Sequence, residues 1–82
     1  MRFVLYSRPG CGLCEEMLAA LAALPAAAGF PVNVVDVDGD ATARARFGHK
    51  IPVLFFDGEL VCHGHLDREE VHKALAWRRR PV

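Results

Sequence analysis

The sequence carries no excess of charge of either sign. Its ten lysines and arginines are balanced by ten aspartates and glutamates. Without a net charge, the chain has no overall field that would attract it to nucleic acid or to an anionic membrane. We therefore expect partners that are not polyanions.

Long hydrophobic runs and a secretion signal are also missing. The longest apolar stretch, "MLAALAALPAAAGF", is interrupted by Pro25 and falls short of the roughly 20 residues that span a bilayer. The opening residues, "MRFVLY", lack the charged start, longer apolar segment and small-residue cleavage site of a signal peptide. These absences predict a soluble cytoplasmic protein with no membrane partner.

Cysteine is scarce, with three residues in a chain of 82. An odd number of cysteines in a reducing compartment argues against a framework of structural disulfides. A structural zinc fold is also disfavoured, because no second C-x-x-C motif and no H-x-x-x-H motif accompanies Cys11 and Cys14. Redox chemistry at this pair is therefore the leading hypothesis.

The length and the hydrophobic content of 52% suit one domain with a modest core, which we place at residues 1–82. Apolar periodicity and turn signals predict the element order β-α-β-α-β-β-α. The strands are expected at 2–6, 32–37, 53–56 and 60–62. The helices are expected at 12–24, between Asp40 and Gly48, and from Asp67 to about Arg80, where Pro81 stops the last one.

Several short signals set these boundaries. Pro25 should end the first helix, Asp40 and Asp67 are suited to cap the second and third, and Gly48 should stop the second. The dipeptide Asp57-Gly58 predicts a hairpin between the last two strands. A strand-helix-strand unit makes the first two strands parallel, so the prediction is an α/β fold with a four-stranded mixed sheet flanked by helices.

The C-x-x-C pair lies where the first strand gives way to the first helix. Backbone amides at the helix start, the helix dipole and the nearby cation of Arg8 favour the thiolate form of Cys11, although Glu15 opposes them. Cys14 lies one turn further in, where exposure should be lower. We predict that Cys11 attacks a disulfide and that Cys14 resolves the mixed disulfide.

A different class of function uses the same residues as ligands. Cys62 ends the last strand, and together with Cys11, Cys14 and His63 or His65 it would complete a four-ligand set suited to zinc. The alternative hypothesis is therefore a non-catalytic metal-binding or adaptor protein. A buried structural role for Cys62 is the simpler interpretation.

The chain resembles the glutaredoxin family of the thioredoxin superfamily. The resemblance is carried, in the family's order, by "YSRPGCGLC", "VVDVD", "IPVLFFDG" and "HGHLD". These segments cover essentially the whole chain, and the C-x-L-C site is most similar to short bacterial glutaredoxin-like proteins. The resemblance implies a thioredoxin/glutaredoxin-like fold and thiol-disulfide oxidoreductase activity.

The same resemblance implies which residues contact the substrate. Ile51–Pro52 would be a cis peptide opposite the cysteines whose backbone meets a bound peptide or glutathione. The family's Gly-Gly pair matches His63-Gly64, followed by an acidic residue at Asp67, or Cys62-His63 if no gap is allowed. We assign substrate binding to Arg8, Ile51, Pro52, Gly64 and Asp67, and we assign no residue to a metal.

The residues between the cysteines leave the substrate open. Gly12 and Leu13 stand where glutaredoxins usually have Pro-Tyr, whose aromatic ring lies beside bound glutathione. We expect the partner to be a disulfide-containing protein or glutathione, with no cofactor other than glutathione as a co-substrate. Arg78, Arg79 and Arg80 suit a helix C-terminus and do not indicate nucleic acid, and we expect a monomer.

Overall fold

The predicted element order is confirmed by the structure, a computed structural model that describes residues 1–79. The helices and strands are β1 (Phe3–Ser7), α1 (Gly12–Ala22), β2 (Val32–Asp36), α2 (Ala41–Phe47), β3 (Val53–Phe56), β4 (Glu59–His63) and α3 (Arg68–Arg79). The predicted end of the last helix at Arg80 and Pro81 lies outside the described residues.

The four strands form one mixed sheet in the order β2-β1-β3-β4. β1 and β2 are parallel, whereas β3 is antiparallel to both β1 and β4. The α/β fold with a four-stranded mixed sheet is therefore confirmed. Tyr6, near the end of β1, pairs with Val53 at the start of β3. The loop that follows β1 and the loop that precedes β3 therefore lie at the same end of the sheet.

Alternation along the strands divides the apolar side chains between the two faces of the sheet. One face of β1 and β3 packs with residues of α1 and α3 in a cluster that includes Phe3, Leu5, Met17, Leu21, Leu54, Phe56, Val71 and Leu75. The opposite face packs with α2 in a smaller cluster formed by Val37, Ala43, Phe47 and Val53. Two helices thus cover one face, and the short helix covers the other.

The first helix ends earlier than the sequence predicted. Leu24, expected as its last residue, is extended with φ −85° and ψ 113°, and Pro25–Ala27 form a separate 3₁₀ turn. The ring of a proline clashes with a helical residue before it, so Leu24 cannot remain in the helix. The proline therefore acts on its predecessor as well as on its own position.

The second strand is also one residue shorter than predicted. Val37 belongs to a 3₁₀ turn, Val37–Gly39, and is fully buried there. Asp36 ends the strand because its side chain accepts a hydrogen bond from the backbone N–H of Asp38 at 2.9 Å. An aspartate that bonds the backbone two residues on makes a local turn in place of the ladder.

The predicted caps and hairpin are confirmed. Asp40 accepts hydrogen bonds from the N–H groups of Thr42 and Ala43 at 2.9 and 3.3 Å, and Asp67 accepts one from Glu70 at 3.1 Å. Asp57 and Gly58 both have positive φ, 50° and 86°, as a type I′ turn requires.

Gly48 follows the second helix as predicted, but its backbone does not adopt the left-handed conformation that usually explains a glycine at a helix end. Its φ is −54°, and a Cβ added there would lie 2.6 Å from the carbonyl oxygen of Arg44. The close approach of the helix backbone therefore explains glycine at this position. None of the helices within residues 1–79 is long and apolar enough to cross a membrane.

Candidate active site

The first cysteine of the pair is the N-cap residue of α1. Its backbone is extended, with φ −86° and ψ 106°, and its carbonyl accepts the N–H of Glu15 at 3.1 Å. Its sulfur accepts a hydrogen bond from the backbone N–H of Cys14 at 3.2 Å. An amide at the start of an 11-residue helix therefore points at Cys11 Sγ, which is the arrangement that stabilises a thiolate.

The two cysteines are joined as a disulfide, with their Cα atoms 5.2 Å apart. Cys14 is 2% exposed and belongs to the buried face of α1, whereas Cys11 is partly exposed at the helix start. The difference in exposure follows from position, since Cys14 lies within the first turn and Cys11 caps it. The arrangement can alternate between a dithiol and a disulfide, with Cys11 as the sulfur that a partner can reach.

The segment before β3 reaches the same end of the sheet. The Ile51–Pro52 peptide is cis, Pro52 is buried, and its carbonyl accepts the N–H of Gly64 at 2.8 Å. This bond joins the start of β3 to the residue that follows β4. Ile51 and Gly64 are partly exposed, whereas Val53, which follows the proline, is buried, so the surface open to a ligand near the proline lies at Ile51 and Gly64.

A groove of about 270 Å³ separates α1 from the segment that follows β4. Leu13, between the two cysteines, is 43% exposed and forms one wall, and Gly64 and Leu66 form the other. The structure thus brings Gly64 to the vicinity of the redox pair. Asp67 follows Leu66 and is exposed, and one of its carboxylate oxygens caps α3 by accepting the N–H of Glu70.

Arg8 is paired with an acid that the sequence analysis did not single out. Its Nε and Nη2 donate to the two carboxylate oxygens of Asp38 at 2.7 and 3.0 Å, and its Nη1 donates to the carbonyl of Gly48 at 3.5 Å. The hydrogen bond with Arg8 lowers the pKa of Asp38, and the same bond raises the pKa of Arg8. A signal was present, because the carboxyl ends of the parallel strands β1 and β2 bring the two loops together.

Cys62 lies on β4 opposite Leu54 and packs against the larger core cluster. Burial raises the pKa of its thiol, while a hydrogen bond with the backbone of Asp67 acts in the opposite direction. Within residues 1–79, no three histidine, cysteine, aspartate or glutamate side chains are placed to share a metal ion. The four-ligand set considered for Cys11, Cys14, Cys62 and a neighbouring histidine is not formed there.

Comparison with known proteins places this site in a family. The model of the Glutaredoxin-like domain (DUF836) matches residues 2–76, which include both cysteines, the cis-proline and most of α3. The chain belongs to the glutaredoxin-like family. The uncharacterized protein Rv0508 of Mycobacterium tuberculosis is 31% identical to this glutaredoxin-like chain over 77 residues, covering 88% of the chain and 79% of Rv0508.

Solved structures are similar over the same extent. The solution structure of protein Ne2328 from Nitrosomonas europaea is 33% identical, covers 89% of the glutaredoxin-like chain and 88% of its own, and superposes with a TM-score of 0.79. The X-ray structure of XcR50 from X. campestris is 29% identical, with coverages of 96% and 99% and a TM-score of 0.70. Thioredoxin 1 from Thermosipho africanus, at 12% identity and a TM-score of 0.62, shares the fold.

Proposed function

We propose that this glutaredoxin-like protein is a thiol-disulfide oxidoreductase that reduces disulfides of proteins or glutathione mixed disulfides. The observation that supports the proposal is the hydrogen bond from the Cys14 amide to Cys11 Sγ at the helix start. Only a thiolate attacks a disulfide sulfur, and this bond favours the thiolate at the more exposed of the two cysteines.

The proposed reaction moves two electrons from the dithiol to the substrate. The Cys11 thiolate attacks one sulfur of the substrate disulfide, forming a mixed disulfide and releasing the other substrate sulfur as a thiolate that takes up a proton. The Cys14 thiol then loses its proton and attacks Cys11 Sγ, which releases the second substrate thiol and closes the Cys11–Cys14 disulfide. Two thiols of a reductant, such as two glutathione molecules, would return the pair to the dithiol.

The location of Cys14 suits the resolving step. The Cα separation of 5.2 Å keeps the two sulfurs within bridging range. Tethering on the same helical turn gives Cys14 a high effective concentration beside the mixed disulfide, and its burial protects it from direct reaction with solvent thiols. The roles of Cys11 and Cys14 predicted from the sequence therefore enter the proposal unchanged.

We propose that the substrate lies against the partly exposed Ile51, beside the cis-proline, and along the groove beside Leu13. In this arrangement Ile51, Gly64 and Asp67 contact the bound peptide or glutathione, while Pro52 is buried and holds Gly64 through its carbonyl. Arg8, which the sequence analysis also placed among these residues, has its guanidinium occupied by Asp38, so we leave it out of the substrate contacts. We propose the cytoplasm as the compartment, because its thiol reductants would keep the pair reduced.

The test is disulfide reduction by the parent and by single serine variants. Cys11→Ser should abolish reduction of a small aromatic disulfide. Cys14→Ser should accumulate a mixed disulfide at Cys11, visible as a mass increase in the intact protein. Cys62→Ser is the matched control and should reduce the disulfide at the parent's rate. Activity of Cys11→Ser equal to that of the parent would refute the proposal.

A further inference from the structure

A series of hydrogen bonds connects the end of β2 to the sulfur of Cys11. Asp36 accepts the N–H of Asp38, and the Asp38 carboxylate accepts two bonds from Arg8. The carbonyl of Arg8 accepts the N–H of Cys11 at 3.2 Å, and Cys11 Sγ accepts the N–H of Cys14. Each hydrogen bond in this series fixes the position of the group that makes the next one, from Asp36 to Cys11 Sγ.

The geometry at Arg8 restricts the loop that precedes the cysteine. Two parallel N–H···O bonds to one carboxylate fix the plane of the guanidinium, which a single contact would leave free to turn. The third donor reaches Gly48, at the end of α2. Arg8 therefore connects the loop after β1 to two other parts of the fold, the turn after β2 and the end of the second helix.

We propose that Asp38 is a positioning residue for Cys11, acting through Arg8. The inference rests on the proposed function, in which Cys11 is the attacking sulfur. Asp38 holds the Arg8 side chain, the Arg8 carbonyl holds the Cys11 amide, and the Cys11 sulfur stays where the helix amide can donate to it. Since the Asp38 carboxylate offsets the guanidinium charge, the role of Arg8 is to fix geometry.

A different role for Asp38 predicts the opposite result. If Arg8 acted as a free cation that stabilises the thiolate, Asp38 would weaken it, and removing the carboxylate would increase the reactivity of Cys11. If Asp38 positions the loop, removing the carboxylate decreases that reactivity. The sign of the change therefore separates positioning from charge.

The experiment measures alkylation of Cys11 by iodoacetamide from pH 5 to 9, in reduced full-length protein that carries Cys14→Ser and Cys62→Ser. At pH 7, Asp38→Asn and Arg8→Met should each slow alkylation by about threefold, the scale of an aligned but solvent-accessible ion pair. The double variant should be no slower than either single one, because the two residues act as one unit. Arg8→Lys should remain slow, since it keeps the charge but loses the fork.

The matched control is Lys73→Met, which removes another exposed cation that pairs with Glu69 and Glu70 on α3. It should leave the alkylation rate unchanged. Circular dichroism establishes that each variant is folded, and Asp38→Ala serves as the second substitution if Asp38→Asn is not.

Faster or unchanged alkylation in the folded Asp38 variant would overturn the proposal. Losses that add in the double variant, or an equal loss in Lys73→Met, would overturn it as well. Alkylation reports on Cys11 without turnover, so these outcomes are independent of the disulfide-reduction assay. Turnover in Cys11→Ser would remove the proposed function while the alkylation rates still decided how the loop is held.

Discussion

Two leucines on α1, the helix that Cys11 caps, offer a direct test of which side of this helix packs against the core. Leu21 is 2% exposed in the larger core cluster, whereas Leu18, three residues earlier, is 37% exposed. Both are replaced by alanine in separate variants. The chemical change and the helix are the same, so the two variants differ chiefly in burial.

The expected losses follow from that burial. Leu21→Ala removes a fully buried side chain and leaves a cavity, which costs about 3 kcal/mol. Leu18→Ala loses part of its apolar contact, but water fills the space, so the cost is about 1 kcal/mol or less. A chain of 82 residues has a free energy of unfolding of about 8 kcal/mol at ~0.1 kcal/mol per residue, so both variants should fold.

Urea denaturation of the oxidised protein measures the difference. With a slope of about 1 kcal/mol per molar, the midpoint should fall by about 3 M for Leu21→Ala and by about 1 M or less for Leu18→Ala. Below the transition, both folded variants should reduce disulfides at the parent's rate. Equal midpoint shifts for the two variants would refute the assignment of Leu21, rather than Leu18, to the core side of the helix.

Two further predictions concern the cap of α2 and the third cysteine. Asp40→Ala should lower the free energy of unfolding by about 1 kcal/mol in urea, because two N–H groups lose their acceptor, whereas Asp40→Asn retains an acceptor and should lose only a few tenths; equal losses would contradict the capping role. Burial raises the pKa of the Cys62 thiol above its ordinary value, so the unfolded chain loses this proton at a lower pH than the folded protein does. Stability should therefore fall as the pH rises from about 9 towards the folded pKa. Urea unfolding of the oxidised parent and of oxidised Cys62→Ser at pH 7 and pH 10 measures this loss of stability, which should be smaller in the variant. An identical pH dependence in the two proteins would contradict the inferred burial effect.

Local chemistry explains why the element order could be predicted. Aspartates before the helices and the Asp57-Gly58 pair act within three or four residues of their own position, so they are visible in the sequence. The early ends of the first helix and of the second strand also have local causes. Pro25 keeps Leu24 out of the helix, and the side chain of Asp36 ends a strand that the apolar Val37 was predicted to continue.

Long-range pairing explains why part of the site was not predicted. Asp38 lies 30 residues from Arg8, so their contact follows from the pairing of β1 with β2 and not from the local sequence around either residue. The charge of Arg8 was visible, but the partner that holds it depends on the parallel register of β1 and β2. Likewise, the position of Cys62 at a strand end did not reveal whether it would join the other cysteines or the core.

The hairpin turn has a practical consequence for experiments on binding partners. Phe3, at the start of β1, pairs with Phe56, at the end of β3, so Asp57 and Gly58 lie at one end of the sheet. Cys11 lies at the opposite end, beyond the last residue of β1. Met1, which is 59% exposed, lies at the same end of the sheet as Asp57 and Gly58. A biotin tag or a sensor surface attached at either place would leave the cysteine end facing outward, so captured partners would meet the protein in an orientation that permits exchange.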